Sequence, residues 1–211
     1  MKNELLSKVF KWFSLGLFIT FVTAYLVSTN VNMLGLIFNG VGYVLIIILE
    51  LVLAIWLTTR IRKMDSGITK ILYIAYSVLT GLTFSSIFIV YELSSIIWVF
   101  LATSIIFLVF SIVGKNSKMD LSKMGTYLMI GLLSVIIISI INIFIMNNTL
   151  DMMLCIISIV IFVGYISYDV NKIIRYYDDT DNMAIVGAFE LYLDFINIFI
   201  DLLRLFGRER N

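Results

Sequence analysis

Seven long, continuously apolar runs separated by short charged gaps leave this chain few ways to fold. The runs are Phe10–Val27, Leu34–Leu57, Ile71–Tyr91, Ser95–Val113, Gly125–Met146, Met152–Asn171 and Ala184–Phe206. Each is long enough to cross a bilayer as a helix, which takes about 20 residues. A membrane barrel would alternate apolar and polar residues in segments of about ten, and these runs do not alternate. Only 14% of the 211 residues are charged and 61% are hydrophobic, a balance foreign to water-soluble domains. The pattern predicts an all-α integral membrane protein, with residues 1–211 forming a single seven-helix transmembrane domain. The lipid bilayer is then its first partner, and no length is left for a separate soluble domain. The start, MKNELLSKVFKWF, has no cleavage-site pattern, so the first run reads as a span and not as a removed signal.

Several absences narrow the chemistry. The chain has no His, which excludes imidazole metal sites, His-based triads and the usual proton switch near neutrality. It has no Pro, so kinks must come from Gly, Ser or local irregularity. A single Cys, Cys155, forms no internal disulfide and is expected to be buried and inert. A net charge of +1 gives no basic field for nucleic acid. No cofactor is expected. Richness in Ile, Asn and Lys suits a bacterial chain, and hence a plasma-membrane location.

Lys and Arg set the expected orientation. They fill the N-terminus (Lys2, Lys8, Lys11) and every second gap: Arg60, Arg62, Lys63 and Lys70, then Lys115, Lys118 and Lys123, then Lys172 and Arg175. The intervening gaps Ser28–Met33, Glu92–Ser94 and Asn147–Asp151 carry none. By the positive-inside rule the N-terminus is cytoplasmic. The tail, with Arg204, Arg208 and Arg210, breaks the alternation, which fits a last helix buried inside the bundle.

That last run carries a polar stripe. Glu190, Asp194, Asn197, Asp201 and Arg204 follow one another at steps of 4, 3, 4 and 3, one face of an α-helix. Charged groups facing lipid cost several kcal/mol, so this face must meet protein or water. Asp169 lies near the end of the sixth run, sharing its face with Tyr165 and Lys172. Glu50 lies in the second run, about 15 Å along the helix from Arg60 at 1.5 Å per residue, a depth similar to that expected for Asp194. Plainer readings stand beside these: Asp169–Lys172 as an interfacial pair, Glu50 as a structural carboxyl hydrogen-bonded between helices, and Arg60, Arg62 and Lys63 as charges that only set topology. Arg204 is expected to pair with Asp201 one turn away. Glu50, Asp194 and Asn197 are expected to line a polar interior that Asp201 continues.

The C-terminal stretch LYLDFINIFIDLLRLFG closely resembles the signature end of the Bax inhibitor-1 (transmembrane Bax inhibitor motif) family, and above all its small bacterial YetJ-type members. GYISYDVNKI in the sixth run and GLTFSSIFIVYE at the end of the third extend the match across most of the chain. The resemblance implies six helices wrapped around a central, C-terminal seventh. It implies a pH-sensitive calcium leak, in which an aspartate pair on the last two helices is the sensor and an arginine of the second helix its latch. Carried over, the pair is Asp169 and Asp194, with transient contact to Ca2+, and the latch is Arg60 with Arg62 as the alternative. In this chain WLTTRIRKM is longer than its counterpart in close bacterial relatives, and Asp201 stands where relatives often have a neutral polar residue.

The physical basis is simple. Two carboxylates in a poorly solvated site cannot both ionise cheaply, so they share a proton and titrate as a unit. Carboxylate oxygens suit Ca2+, a hard cation, but too few are in evidence for a tight site, and weak passage fits better. Ca2+ and H+ are thus the expected small partners, and a monomer the expected state. The rival functions are a non-transporting membrane regulator of stress or cell death and a Ca2+/H+ antiporter. An intramembrane aspartyl protease is disfavoured by the missing Pro and by LYLDF around Asp194. The chain is therefore expected not to be an enzyme.

Overall fold

The computed structural model describes residues 2–60 and 64–210. They form α1 (Lys2–Ser28), α2 (Val31–Ile37), α3 (Val41–Arg60), α4 (Ser66–Phe84), α5 (Ile87–Val90), α6 (Leu93–Asn116), α7 (Ser122–Ile145), α8 (Asn148–Tyr176) and α9 (Asp181–Phe206), with no strand among the described residues. Seven helical stretches are long and apolar enough to cross a membrane, one for each run in the sequence. The protein is all-α and a multi-pass integral membrane protein. Exposed side chains such as Ile137, Ile143 and Phe144 of α7 are what a lipid-facing helix requires, since its backbone is satisfied internally and its surface needs no polar cover.

Two runs are not single helices. The second, expected as Leu34–Leu57, breaks between α2 and α3. Gly40 has φ of +85° there, a conformation that suits glycine, and Asn39 Oδ1 accepts from Gly42 N at 2.7 Å to start α3. The third run breaks at Ser85–Ser86, whose hydroxyls donate to the Leu82 and Thr83 carbonyls at 2.6 and 2.9 Å. Serine back-bonding of this kind competes with the helix ladder.

The chain divides into two compact units. The first comprises α1 to α5 and α9 as far as Tyr192. Within it α4 packs against α1 and α3. The approach of α1 needs Gly81, where a Cβ would lie 2.6 Å from Thr23 Cβ and 2.8 Å from the Thr20 carbonyl oxygen. Small residues let membrane helices come this close. Tyr73 and Tyr76 of α4 meet Phe189 and Tyr192 of α9 edge to face, with centroids 5.0–6.4 Å apart, and Tyr73 donates to the Trp12 carbonyl at 3.0 Å. The start of α9 is further tied by Lys70–Asp181 at 2.9 Å and by Asn182, which donates to the Met64 carbonyl at 2.7 Å.

The second unit comprises α6, α7, α8 and α9 from Leu193. In it α8 packs against α6 and α7. At Gly114 a Cβ would lie 2.3 Å from the Ser167 carbonyl oxygen, so the backbones of α6 and α8 touch. The turn between α6 and α7 is pinned by α8. Arg175 donates to the carbonyls of Ser117, Lys118 and Met119 at 3.1, 2.8 and 3.2 Å. Asn171 accepts from Leu121 N at 3.2 Å, and Tyr176 donates to Asp120. Phe195 of α9 packs on Phe100 and Phe107. Over the most apolar stretch of each span, 72% of α9 is buried, against 11% of α3 and 6% of α7, which is how one helix of the seven can carry a line of charges.

Candidate functional site

Asp169 and Asp194 both belong to the second unit. Asp169 is 5% exposed and Asp194 4%, so each carboxyl is almost wholly withdrawn from solvent. Lys172 Nζ donates to Asp169 Oδ1 at 3.0 Å, one turn along α8, and its ammonium stands 5.2 Å from the Tyr168 ring and 5.6 Å from that of Tyr177. Tyr165, one turn earlier on α8, lies within electrostatic reach of Asp169, Asp194 and Lys172 at once. The two aspartates therefore bear on one tyrosine. Low polarity makes such charges interact strongly and makes proton sharing a natural way to lower their cost.

Further along α9 the structure corrects one expected pairing. Arg204 is paired with Asp151, in the first turn of α8, at 2.5 Å, not with Asp201. Arg204 is half exposed and reaches the equally accessible Asp151. Asp201 is 9% exposed and lies against Ser158 and Cys155 of α8, whose polar atoms face its carboxyl. Cys155 itself is buried. The Asn197 amide donates to the Leu193 carbonyl at 2.7 Å, a bond to its own helix. The stripe thus runs from half-buried Glu190 through buried Asp194 and Asp201 to exposed Arg204.

Glu50 belongs to the first unit. Its Oε1 accepts from Thr80 at 2.7 Å and its Oε2 from Thr83 at 2.9 Å, so it is held between α3 and α4. It opens on a shallow dent lined by Ile47, Leu51, Ala54 and Tyr76. Arg60 is the last residue of α3 and is exposed, in the first unit, whereas Asp169 and Asp194 are in the second. Arg62 and Lys63 lie outside the described residues. Sequence reasoning passed over Asp151, which looked like a loop charge, and the threonines of α4. The spacing of three between Thr80 and Thr83 places both on one helical face and was the available signal. Among the described residues no three acidic, Cys or His side chains converge in a way that would hold a metal ion.

A family model described as "Inhibitor of apoptosis-promoting Bax1" matches residues 2–211. The chain belongs to the Bax inhibitor-1 family. Among its relatives, the inner membrane protein YbhL of Escherichia coli strain K12 is 37% identical, over 97% of this chain and 92% of YbhL. An uncharacterised protein of Borreliella burgdorferi is 39% identical over 100% of this chain and 94% of its own length. An uncharacterised membrane protein of Streptococcus pyogenes serotype M1 is 32% identical over 98% and 93%. The matches run the full length of the fold, and two of these relatives of this Bax inhibitor-1 protein are themselves described as membrane proteins.

Proposed function

We propose that this protein is a pH-sensitive calcium leak pathway whose gate is the pair Asp169 and Asp194. The observation that carries the reading is the burial of both carboxyls, at 5% and 4% exposure, in one unit and around one tyrosine. Ionisable groups kept inside a membrane bundle are expensive and mark ion or proton pathways by default. With no His in the chain, a carboxyl pair is the available group for sensing pH near neutrality. Ca2+ passes as cargo, held weakly and briefly by carboxylate and neutral oxygens. Asp201 adds negative charge along the same helix face and raises the local cation concentration. Arg60 enters as the latch through the family resemblance. The protein works in the plasma membrane with its N-terminus inside, as the Lys and Arg distribution expects.

The test is calcium entry into liposomes that contain this protein alone. Entry that needs no partner supports a leak and counts against a regulator that acts only by binding other proteins. Entry that persists after the proton gradient is collapsed separates a leak from Ca2+/H+ antiport. No calcium entry at any pH, from protein shown to be folded, would overturn the reading.

A further inference from the structure

The first unit holds a carboxylate with no counter-charge. Glu50 is the tenth of the 20 residues of α3, so about 15 Å of helix separates it from either end. Thr80 donates to its Oε1 at 2.7 Å and Thr83 to its Oε2 at 2.9 Å. One hydroxyl donor on each oxygen is the set of partners an ionised carboxylate takes, and it occupies two of roughly four lone-pair sites. Among the described residues no Lys or Arg joins Glu50. Arg60 stands ten residues further along α3. Lys70 stands ten residues before Thr80 on α4 and is bound to Asp181. The titratable groups bearing on Glu50 are Tyr76 of α4 and Tyr192 of α9, which carry no positive charge. The other helix packed on α3, α2, brings no ionisable residue. An ion inside a membrane bundle is expensive, and such groups normally pair.

What lies over the carboxylate narrows the kind of cation. Glu50 opens on a dent of about 230 Å³ whose other lining residues are Ile47, Leu51, Ala54 and Tyr76. Of these only Tyr76 has a polar atom in its side chain. Ca2+ takes about six to eight oxygen ligands, and among the described residues no group of acidic, Cys or His side chains could hold a metal ion. An organic ammonium asks for less: one carboxylate, an aromatic ring, and apolar contact for its carbon body. Ile47 and Leu51 are 41% and 60% exposed, on a span of which only 11% is buried. The apolar walls of the dent therefore continue onto the lipid-facing surface of α3, and a hydrocarbon chain leaving the dent stays in an apolar medium. Lipid headgroups lie beyond the ends of the span, about 15 Å away, too far for their own amines to reach Glu50.

We propose that the dent over Glu50 binds a hydrophobic amine as its ammonium, with the N–H donors on the Glu50 carboxylate, the Tyr76 ring beside the charge and the apolar body along Ile47, Leu51 and Ala54. Thr80 and Thr83 fix the carboxylate that receives it. Binding is non-covalent. The inference does not rest on the calcium reading and survives if this protein moves no calcium.

Photolabelling in phosphatidylcholine nanodiscs tests it, with decylamine carrying a diazirine on its chain as the probe. Lipid-facing helices take up some label without a site, so the readout is the label on α3 and α4 that a competitor removes. Decylamine should remove it, and decanol, the same chain without the charge, should not. In Glu50→Gln the decylamine concentration needed should rise at least about tenfold, the loss of one charge-assisted bond. Ala54→Phe keeps the carboxylate and fills the dent, so it should abolish the displaceable label, and it carries the test if Glu50→Gln does not fold. The proposal is overturned if wild type shows no displaceable label on α3 and α4, or if neither substitution alters it. It is also overturned if decanol, Ca2+ or K+ removes the label as well as decylamine does, or if phosphatidylethanolamine in place of phosphatidylcholine does so, which would make the occupant a lipid headgroup.

Discussion

Arg204 Nη2 stands 2.6 Å from Oδ1 and 2.5 Å from Oδ2 of Asp151, joining residues 53 positions apart. The bridge fastens the end of α9 to the start of α8 within the second unit. Its side chains are 46% and 42% exposed, so solvent screens it and its worth is that of a surface pair, up to about 1 kcal/mol. Arg204→Gln and Asp151→Asn should each lower thermal stability by no more than that, and the double variant should be no worse than either, because the two act as one pair. Thermal unfolding in detergent across the double-mutant cycle reads this directly.

Arg204 bridges to Asp151 and bears on Asp201 only through space, so Asp201 becomes a test of cation attraction. Asp201→Asn keeps the contact with Ser158 and removes one negative charge from a 9% exposed position. Calcium entry per folded molecule should fall modestly while the unfolding temperature stays the same or rises. A loss of stability with unchanged entry would instead mark Asp201 as structural.

Gly114 permits the touching backbones of α6 and α8. Gly114→Ala must push its Cβ against the Ser167 carbonyl, 2.3 Å away, and overpacking of this kind costs about 1–3 kcal/mol. Gly35→Ala in α2 is the control, since nothing lies within 4 Å of a Cβ there. It should be neutral or gain up to about 1 kcal/mol from helix propensity. Unfolding temperatures of the two variants give the comparison.

Asp120, outside the spans, titrates far from neutrality. Hydrogen bonds from the Ser122 hydroxyl, Tyr176 and the Ser122 amide hold its carboxyl at about 2, below the ordinary 3.8. A lowered carboxyl contributes stability above its ordinary value and loses it as pH falls through the folded one. The difference in unfolding temperature between wild type and Asp120→Asn should therefore be constant from neutral pH down to about 4 and vanish near 2. Asp120→Asn should leave any response of the protein around neutral pH untouched.

Much of this was legible in the sequence, for a physical reason. Lipid exposure forces continuous apolar runs, so the seven spans announce themselves, and the 3.6-residue repeat exposes the line from Glu190 to Arg204. Breaks inside a run leave weaker marks. Asn39-Gly40 is a turn signal that the apolar residues around it obscured, and Ser85-Ser86 looked like two small residues in a span. Partners across helices left none. Nothing local links Arg204 to Asp151, and Asp201, one turn from Arg204, was the natural guess until burial separated the two. The threonines around Glu50 were hidden because a threonine in a membrane helix usually satisfies itself on its own backbone, as Thr80 and Thr83 also do.

The central claim is that Asp169 and Asp194 gate a calcium leak by sharing a proton. Acid should neutralise the pair, weaken its hold on the basic partner that closes the path, and raise the leak. Arg60→Ala, if it removes that partner, should leak even at alkaline pH. The most direct measurement is calcium entry into proteoliposomes across the neutral pH range, with wild type beside Asp169→Asn. The account predicts wild-type entry that rises on acidification and an Asp169→Asn protein that leaks with little dependence on pH. Wild-type entry that falls steadily on acidification, or an Asp169→Asn profile identical to wild type, would contradict it.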